Sequence, residues 1–150
     1  MDADSRYLQQ LLHHDIPLTQ ALGLGVRSWQ GGELRLELPL AANLNHASSM
    51  FGGSLYCGAV LAGWGWLLLS LREAGVTDGH IVIQQGQIDY LQPVVSDAVA
   101  LCAAPAAAQW ERFLAVYRRR GVARISLDTR ILGADDSEAV RFSGQYVLQR

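Results

Sequence analysis

From Ser54 to Leu71 the chain reads SLYCGAVLAGWGWLLLSL, with no charged residue until Arg72. A helix of this kind has no polar face, so something must cover it on every side. Roughly twenty such residues would meet the length criterion for a membrane span. This run, however, is broken by Gly58, Gly63 and Gly65, and the rest of the chain alternates polar and apolar residues as sheet does. The pattern therefore points to the buried centre of a globular domain and away from a membrane. One flat sheet face cannot cover such a helix, but an antiparallel sheet curled around it can. The fold class expected is α+β.

The residues leading into the run are of a different character. Asn43, Asn45, His46, Ser48 and Ser49 form a polar loop, followed by Phe51-Gly52-Gly53. Glycines before a long helix let backbone and ligand approach closely, because no Cβ intervenes. A helix start also offers unpaired N–H groups and about half a unit of positive charge. Together these can hold an oxyanion or a polarised carbonyl.

Around this centre the remaining elements can be read in order. Residues 4–14 have the stripe Tyr7, Leu8, Leu11 and Leu12 of an amphipathic helix, with Asp4 or Ser5 as its cap and Pro17 as its end. Leu22, Leu24 and Val26 begin a strand running to about Trp29, and Gly31-Gly32 is a hairpin turn leading to Leu34, Leu36 and Leu38. His80–Val94 is a long strand whose apolar phase changes near Gly86, where a bulge is expected. A short strand covers 98–104, and Pro105 sits at a first helical position before Trp110, Phe113, Leu114 and Tyr117. Two strands follow, with Ala123, Ile125, Leu127, Thr129 and Ile131 on one face of the first. Val140, Phe142, Gly144, Tyr146 and Leu148 share a face of the second. With no repeat or linker, residues 1–150 read as a single domain.

Composition excludes several classes of function. A net charge of −2 argues against a nucleic-acid binder. Cys57 and Cys102 lie in apolar segments without metal-ligand spacing, so no metal is expected, and free thiols are expected over a single disulfide between them. The start, MDADSRYLQQLL, is not a secretory signal, and a cytoplasmic location is expected.

The loop NLNHASSMFGGSLYCGAVLAGWGW, the strand HIVIQQGQIDYLQPV and the segment QWERFLAVYRRRGVARISL resemble a proteobacterial group of hot-dog proteins. That group was first described as thioesterase-like and is now associated with decarboxylation of malonyl-acyl carrier protein. Its members occur alone or fused behind an acetyltransferase-like domain, and 150 residues match the stand-alone form. The resemblance implies a hot-dog fold and a homodimer, or a tetramer, paired through the strand around 80–92 with sites shared across the interface. It implies Asn45 as the residue tied to decarboxylation, and the Gly52 or Gly53 backbone N–H as the holder of the thioester oxygen. No cofactor is implied beyond the phosphopantetheine of acyl carrier protein or coenzyme A that carries the substrate.

The chemistry of the residues agrees with that expectation. Hot-dog thioesterases and dehydratases usually place a carboxylate on the central helix as nucleophile or base. Here Val60 and its neighbours occupy the corresponding place, and no Asp or Glu precedes Glu73 on the helix. Decarboxylation of a malonyl thioester needs no nucleophile; it needs donors for the enolate oxygen that forms as CO2 leaves. Asn45 and the helix start supply them. Phe51, Leu55 and Tyr56 would hydrate the leaving carboxylate poorly. His46 is a candidate base for the alternative, a thioesterase acting through water, with Asp89 of a partner chain as another acid. A non-catalytic acyl-thioester-binding module is the third reading.

The remaining candidates each have a plainer role. Ser49 and Ser54 read as caps, with Ser54 also a substrate-binding candidate beside Phe51, Gly52 and Gly53; Cys57, Trp64 and Trp66 read as packing, and Gln85 and Asp89 as strand residues at an interface. Arg118-Arg119-Arg120 reads as a solvated helix end, or as a landing patch for an acidic carrier or coenzyme A phosphates, with Arg112 and Arg124 as helpers.

Overall fold

A computed structural model describes all residues, Met1 to Arg150. Helix α1 spans Ala3–Asp15, a one-turn helix α2 Leu18–Ala21, and strands β1 and β2 Gly25–Gln30 and Glu33–Leu38. A short 3-10 turn, Ala41–Asn43, leads through the polar loop into α3, Gly52–Glu73. Then come β3 (His80–Tyr90), β4 (Ala98–Ala103), α4 (Ala107–Arg120), β5 (Val122–Leu132) and β6 (Glu138–Gln149). The six strands form one antiparallel sheet in the order β1-β2-β4-β5-β6-β3. It wraps α3, which packs on β2, β3, β4, β5 and β6. This is the α+β hot-dog architecture expected from the sequence.

The uncharged run is therefore the core of the domain, and 67% of its most apolar window is buried. Leu55, Ala59, Leu61, Ala62, Trp66, Leu67 and Leu69 pack against Leu34, Leu36 and Leu38 of β2 and the inward residues of β4, β5 and β6. Fully burying one such leucine contributes about 2 kcal/mol. Two polar ties join the helix to the sheet. Thr129 Oγ1 donates to the Ala59 carbonyl (3.1 Å) and Tyr146 Oη to the Val60 carbonyl (2.6 Å). Gly63 leaves room for the Tyr146 hydroxyl, which any side chain there would strike.

Local details differ from expectation in four places. Asp2, not Asp4 or Ser5, caps α1, its Oδ1 accepting from the Ser5 N–H at 2.7 Å. Leu22 belongs to the end of α2 rather than to a strand; the left-handed Gly23 (φ 67°) turns the chain before β1 can begin. The bulge in β3 falls between Ile83 and Gln85, not at Gly86. Gly86 instead makes space for the Tyr56 hydroxyl. Pro105 lies two residues ahead of α4, because Ala106 is still extended and forms the N-cap.

β3 is one edge of the sheet, hydrogen-bonded only to β6, and β1 is the other. Eleven residues long, it is exposed along most of its length, and Val82 and Ile83 are among its exposed apolar side chains.

Candidate active site at the start of the central helix

Between Asn43 and Phe51 the chain makes a compact loop whose polar residues hold one another. Asn43 is buried and donates through Nδ2 to the carbonyls of Leu22 (2.8 Å) and Pro39 (2.7 Å). Its own carbonyl accepts from the Phe51 N–H at 2.7 Å, and the Met50 N–H donates to the Val94 carbonyl at 2.7 Å. Leu44 and Met50 form an isolated bridge across the loop.

Asn45 is half-buried inside this frame. Its Oδ1 accepts from the N–H groups of Ala47 (2.8 Å) and Ser49 (3.1 Å), and its Nδ2 donates to Ser49 Oγ (2.8 Å). Asn45 is therefore a turn residue in the ordinary sense, and the chain at Ser48 passes through φ 60° beside it. An amide nitrogen carries two hydrogens, and the second has no protein partner. Ser49 serves this loop and does not cap the helix, contrary to the simplest expectation.

Helix α3 then begins without a side-chain cap. Phe51 is the N-cap (φ −59°, ψ 132°), and it cannot accept a backbone N–H through its ring. The first helical bond runs from the Leu55 N–H to the Phe51 carbonyl (3.1 Å). The N–H groups of Gly52, Gly53 and Ser54 have no protein partner. Ser54 is buried in the first turn and is not a cap either. The Phe51 ring covers Gly53 so closely that no Cβ could stand there, while remaining 57% exposed itself.

Tyr90, at the end of β3, fixes the same turn from the other side: its hydroxyl donates to the Gly52 carbonyl at 2.8 Å. Partial desolvation of this half-exposed phenol, with Tyr56 and Cys57 nearby, pushes it above the ordinary range. Burial also raises the Cys57 thiol, which keeps it protonated and poorly nucleophilic. Tyr56 packs edge-on against Phe142, with ring centroids 5.2 Å apart. Sequence reasoning misses Tyr90 as a site residue. Only its even-numbered phase on β3 marks it as facing the helix.

The other candidates lie apart. His46 is exposed and pairs with no carboxylate. Asp89 stands opposite Arg141 on the outer face of the sheet, beside Asp128 and Arg130, while Tyr90 faces the helix. Arg118, Arg119 and Arg120 are exposed on the last turn of α4. Arg118 reaches the Ala74 carbonyl (3.4 Å), at the far end of α3. A helix of 22 residues spans about 33 Å, so this cluster is a helix length away from Gly52 in the same chain. No group of three or more His, Cys, Asp or Glu residues could hold a metal ion.

Comparison with known proteins shows the family and the fold. A family described as "Putative thioesterase (yiiD_Cterm)" matches residues 5–150. A protein of unknown function from Chlorobaculum tepidum is 33% identical with a TM-score of 0.91, over 97% of this chain and 94% of that one. A "putative thioesterase" from Shewanella oneidensis is 30% identical with a TM-score of 0.89, over 100% of both chains. A "probable thioesterase" from Pseudomonas aeruginosa, 23% identical over 96% of this chain and 94% of that one, has the same fold at a TM-score of 0.82.

Proposed function

The chain belongs to this thioesterase-like hot-dog family, and from that premise we propose that it decarboxylates a malonyl thioester, with the start of α3 as its oxyanion site. The observation that carries the reading is the pairing of free donors with a missing acid. Gly52, Gly53 and Ser54 offer N–H groups without partners, while α3 holds no carboxylate before Glu73.

In this reading the thioester carbonyl accepts hydrogen bonds from the Gly52 or Gly53 N–H and from the free hydrogen of Asn45 Nδ2. The bond between the carboxylate carbon and the α-carbon breaks, and CO2 leaves. Its electron pair passes through the α-carbon to the carbonyl oxygen, which becomes the enolate oxygen. Water then protonates the α-carbon, and the acetyl thioester remains on its carrier. Tyr90 is a positioning residue, holding the first carbonyl of the helix so that the N–H groups stay aimed outward. Phe51 supplies an apolar wall against the departing carboxylate.

The carrier would be acyl carrier protein or coenzyme A. β3 runs from the arginine end of the molecule to the Gly52 end, since Arg124 Nε donates to Gln84 (3.0 Å) and Tyr90 reaches Gly52. Twofold pairing of two β3 edges reverses that direction. A homodimer of this kind would carry Arg118, Arg119 and Arg120 of one chain toward the helix start of the other, where they could meet an acidic carrier or nucleotide phosphates. The exposed edge with its apolar Val82 and Ile83 supports such pairing.

Mass spectrometry of malonyl-acyl carrier protein, with the butyryl form alongside, tests the proposal. Loss of CO2 with the thioester retained is the expected result. A free carrier thiol would instead establish hydrolysis, the activity after which the family is described, and would direct attention to His46. No change in either sample would leave a binding module.

A further inference from the structure

At the other end of α3 lies a site unrelated to the thioester site. It is an open groove of about 440 Å3 between the β1–β2 hairpin, the last turns of α3 and the start of α4, and six of its ten lining residues are hydrophobic. Three of the chain's four tryptophans, Trp29, Trp66 and Trp110, form its walls. Trp66 and Trp110 meet nearly at right angles (82°) with centroids 5.3 Å apart, and Phe113 stacks on Trp110. The polar groups at this groove are few. Trp66 Nε1 donates to the Gly32 carbonyl (2.8 Å), so that indole N–H is already used within the wall.

Ser70 and Glu73, one turn apart on α3, supply the side-chain oxygens. Trp29 Nε1 donates to Glu73 Oε1 at 2.8 Å, which fixes the carboxylate, and Oε2 has no partner. No cation forms an ion pair with Glu73: Arg72 pairs with Asp4, and Arg118 donates to the Ala74 carbonyl. The carboxylate also sits in the last turn of α3, where the helix dipole is negative. A solvent-exposed carboxylate with no ion-pair partner, a helix C-terminus and indole walls together favour one class of ligand, a weakly hydrated organic cation.

We propose that this groove binds a small methylated ammonium compound, of the choline type, with the cationic head against the indoles and Glu73. Ser70 Oγ makes no protein hydrogen bond of its own and is placed to accept a hydroxyl on such a ligand. The site is independent of the proposed decarboxylation.

Choline titrated into the full chain, followed by the indole N–H resonances of a 1H–15N spectrum, tests this. Its neutral carbon isostere 3,3-dimethyl-1-butanol is titrated in parallel. The expected result is saturable shifts of the Trp29 and Trp66 indoles with choline, and binding about tenfold weaker for the isostere. Glu73→Gln keeps an acceptor for Trp29 and removes the charge, so a similar weakening with an unchanged melting temperature is expected. Equal affinity for choline and the isostere would overturn the proposal and leave an apolar groove. Absence of saturable shifts with choline would overturn it outright.

Discussion

The two ends of α3 are built in opposite ways. At its start the helix has no side-chain cap, three N–H groups without partners and an exposed Phe51. At its end the carbonyls are used: Ser70, Leu71 and Arg72 accept from Ala74, Val76 and Gly75, and Ala74 accepts from Arg118. Beyond it, Asp78 takes hydrogen bonds from Tyr117 Oη (2.9 Å) and Arg150 Nε (2.8 Å), tying the turn to α4 and to the C-terminus. One helix therefore carries a finished end and an unfinished one. An unsatisfied helix start costs stability, which is offset here by the buried middle of the same helix. The difference teaches where to look for a ligand that accepts hydrogen bonds: the backbone donors left over are at the start.

The comparison is sharpened most by changes at the start. Asn45→Ala is expected to lose on the order of a hundredfold or more in turnover, as for other oxyanion donors. Because Asn45 also holds its loop, Asn45→Asp is the sharper test. It keeps acceptors for the Ala47 and Ser49 N–H groups and removes the amide donor. Near-parental kcat in Asn45→Asp would reduce Asn45 to a loop staple.

Next in size are effects in the buried middle, on stability rather than rate. Gly63→Ala places a methyl group against the Tyr146 hydroxyl and is expected to cost about 1–3 kcal/mol in denaturant unfolding. Tyr146→Phe, which loses the donor to Val60, is expected to cost about 1 kcal/mol. Combining them should cost less than the sum, since the phenylalanine removes the nearest of the Tyr146 atoms that the methyl group would strike. Strict additivity would contradict this account of the packing.

The smallest effects belong to the finished end. The hydrogen bond from Tyr117, and then Arg150, holds the Asp78 carboxyl below its ordinary value of 3.8. A lowered carboxylate stabilises the folded state above that ordinary value, and the contribution is lost as pH falls through the lowered one. Asp78→Asn should therefore melt slightly below the parent at neutral pH, with the gap closing as the pH is taken below 3.8. Turnover should be unchanged. A gap that widened in acid would contradict the assignment.

Much of this was legible in the chain itself. The uncharged run demanded a wrapping sheet, and alternation in residues 123–131 and 140–148 assigned the inward faces correctly. The loop and the Gly52-Gly53 start could be picked out because their residue types contrast with those of the apolar helix after them. Partnership across long sequence separations could not be read. Tyr90 reaches Gly52 across 38 positions, and Trp29 reaches Glu73 across 44. Nothing local distinguishes these side chains from packing residues. The free N–H groups at Gly52, Gly53 and Ser54 depended on whether a serine would cap the helix, and Ser49 is turned to Asn45 instead.

The central claim is that the start of α3 holds the thioester oxygen. It is tested most directly by titrating a ketone analogue of the malonyl thioester, with carbon in place of sulfur, into 15N-labelled protein. The account predicts downfield shifts of the Gly52 and Gly53 amide protons as their hydrogen bonds form, attenuated in Asn45→Asp. Saturable binding that left those amides unmoved would contradict it.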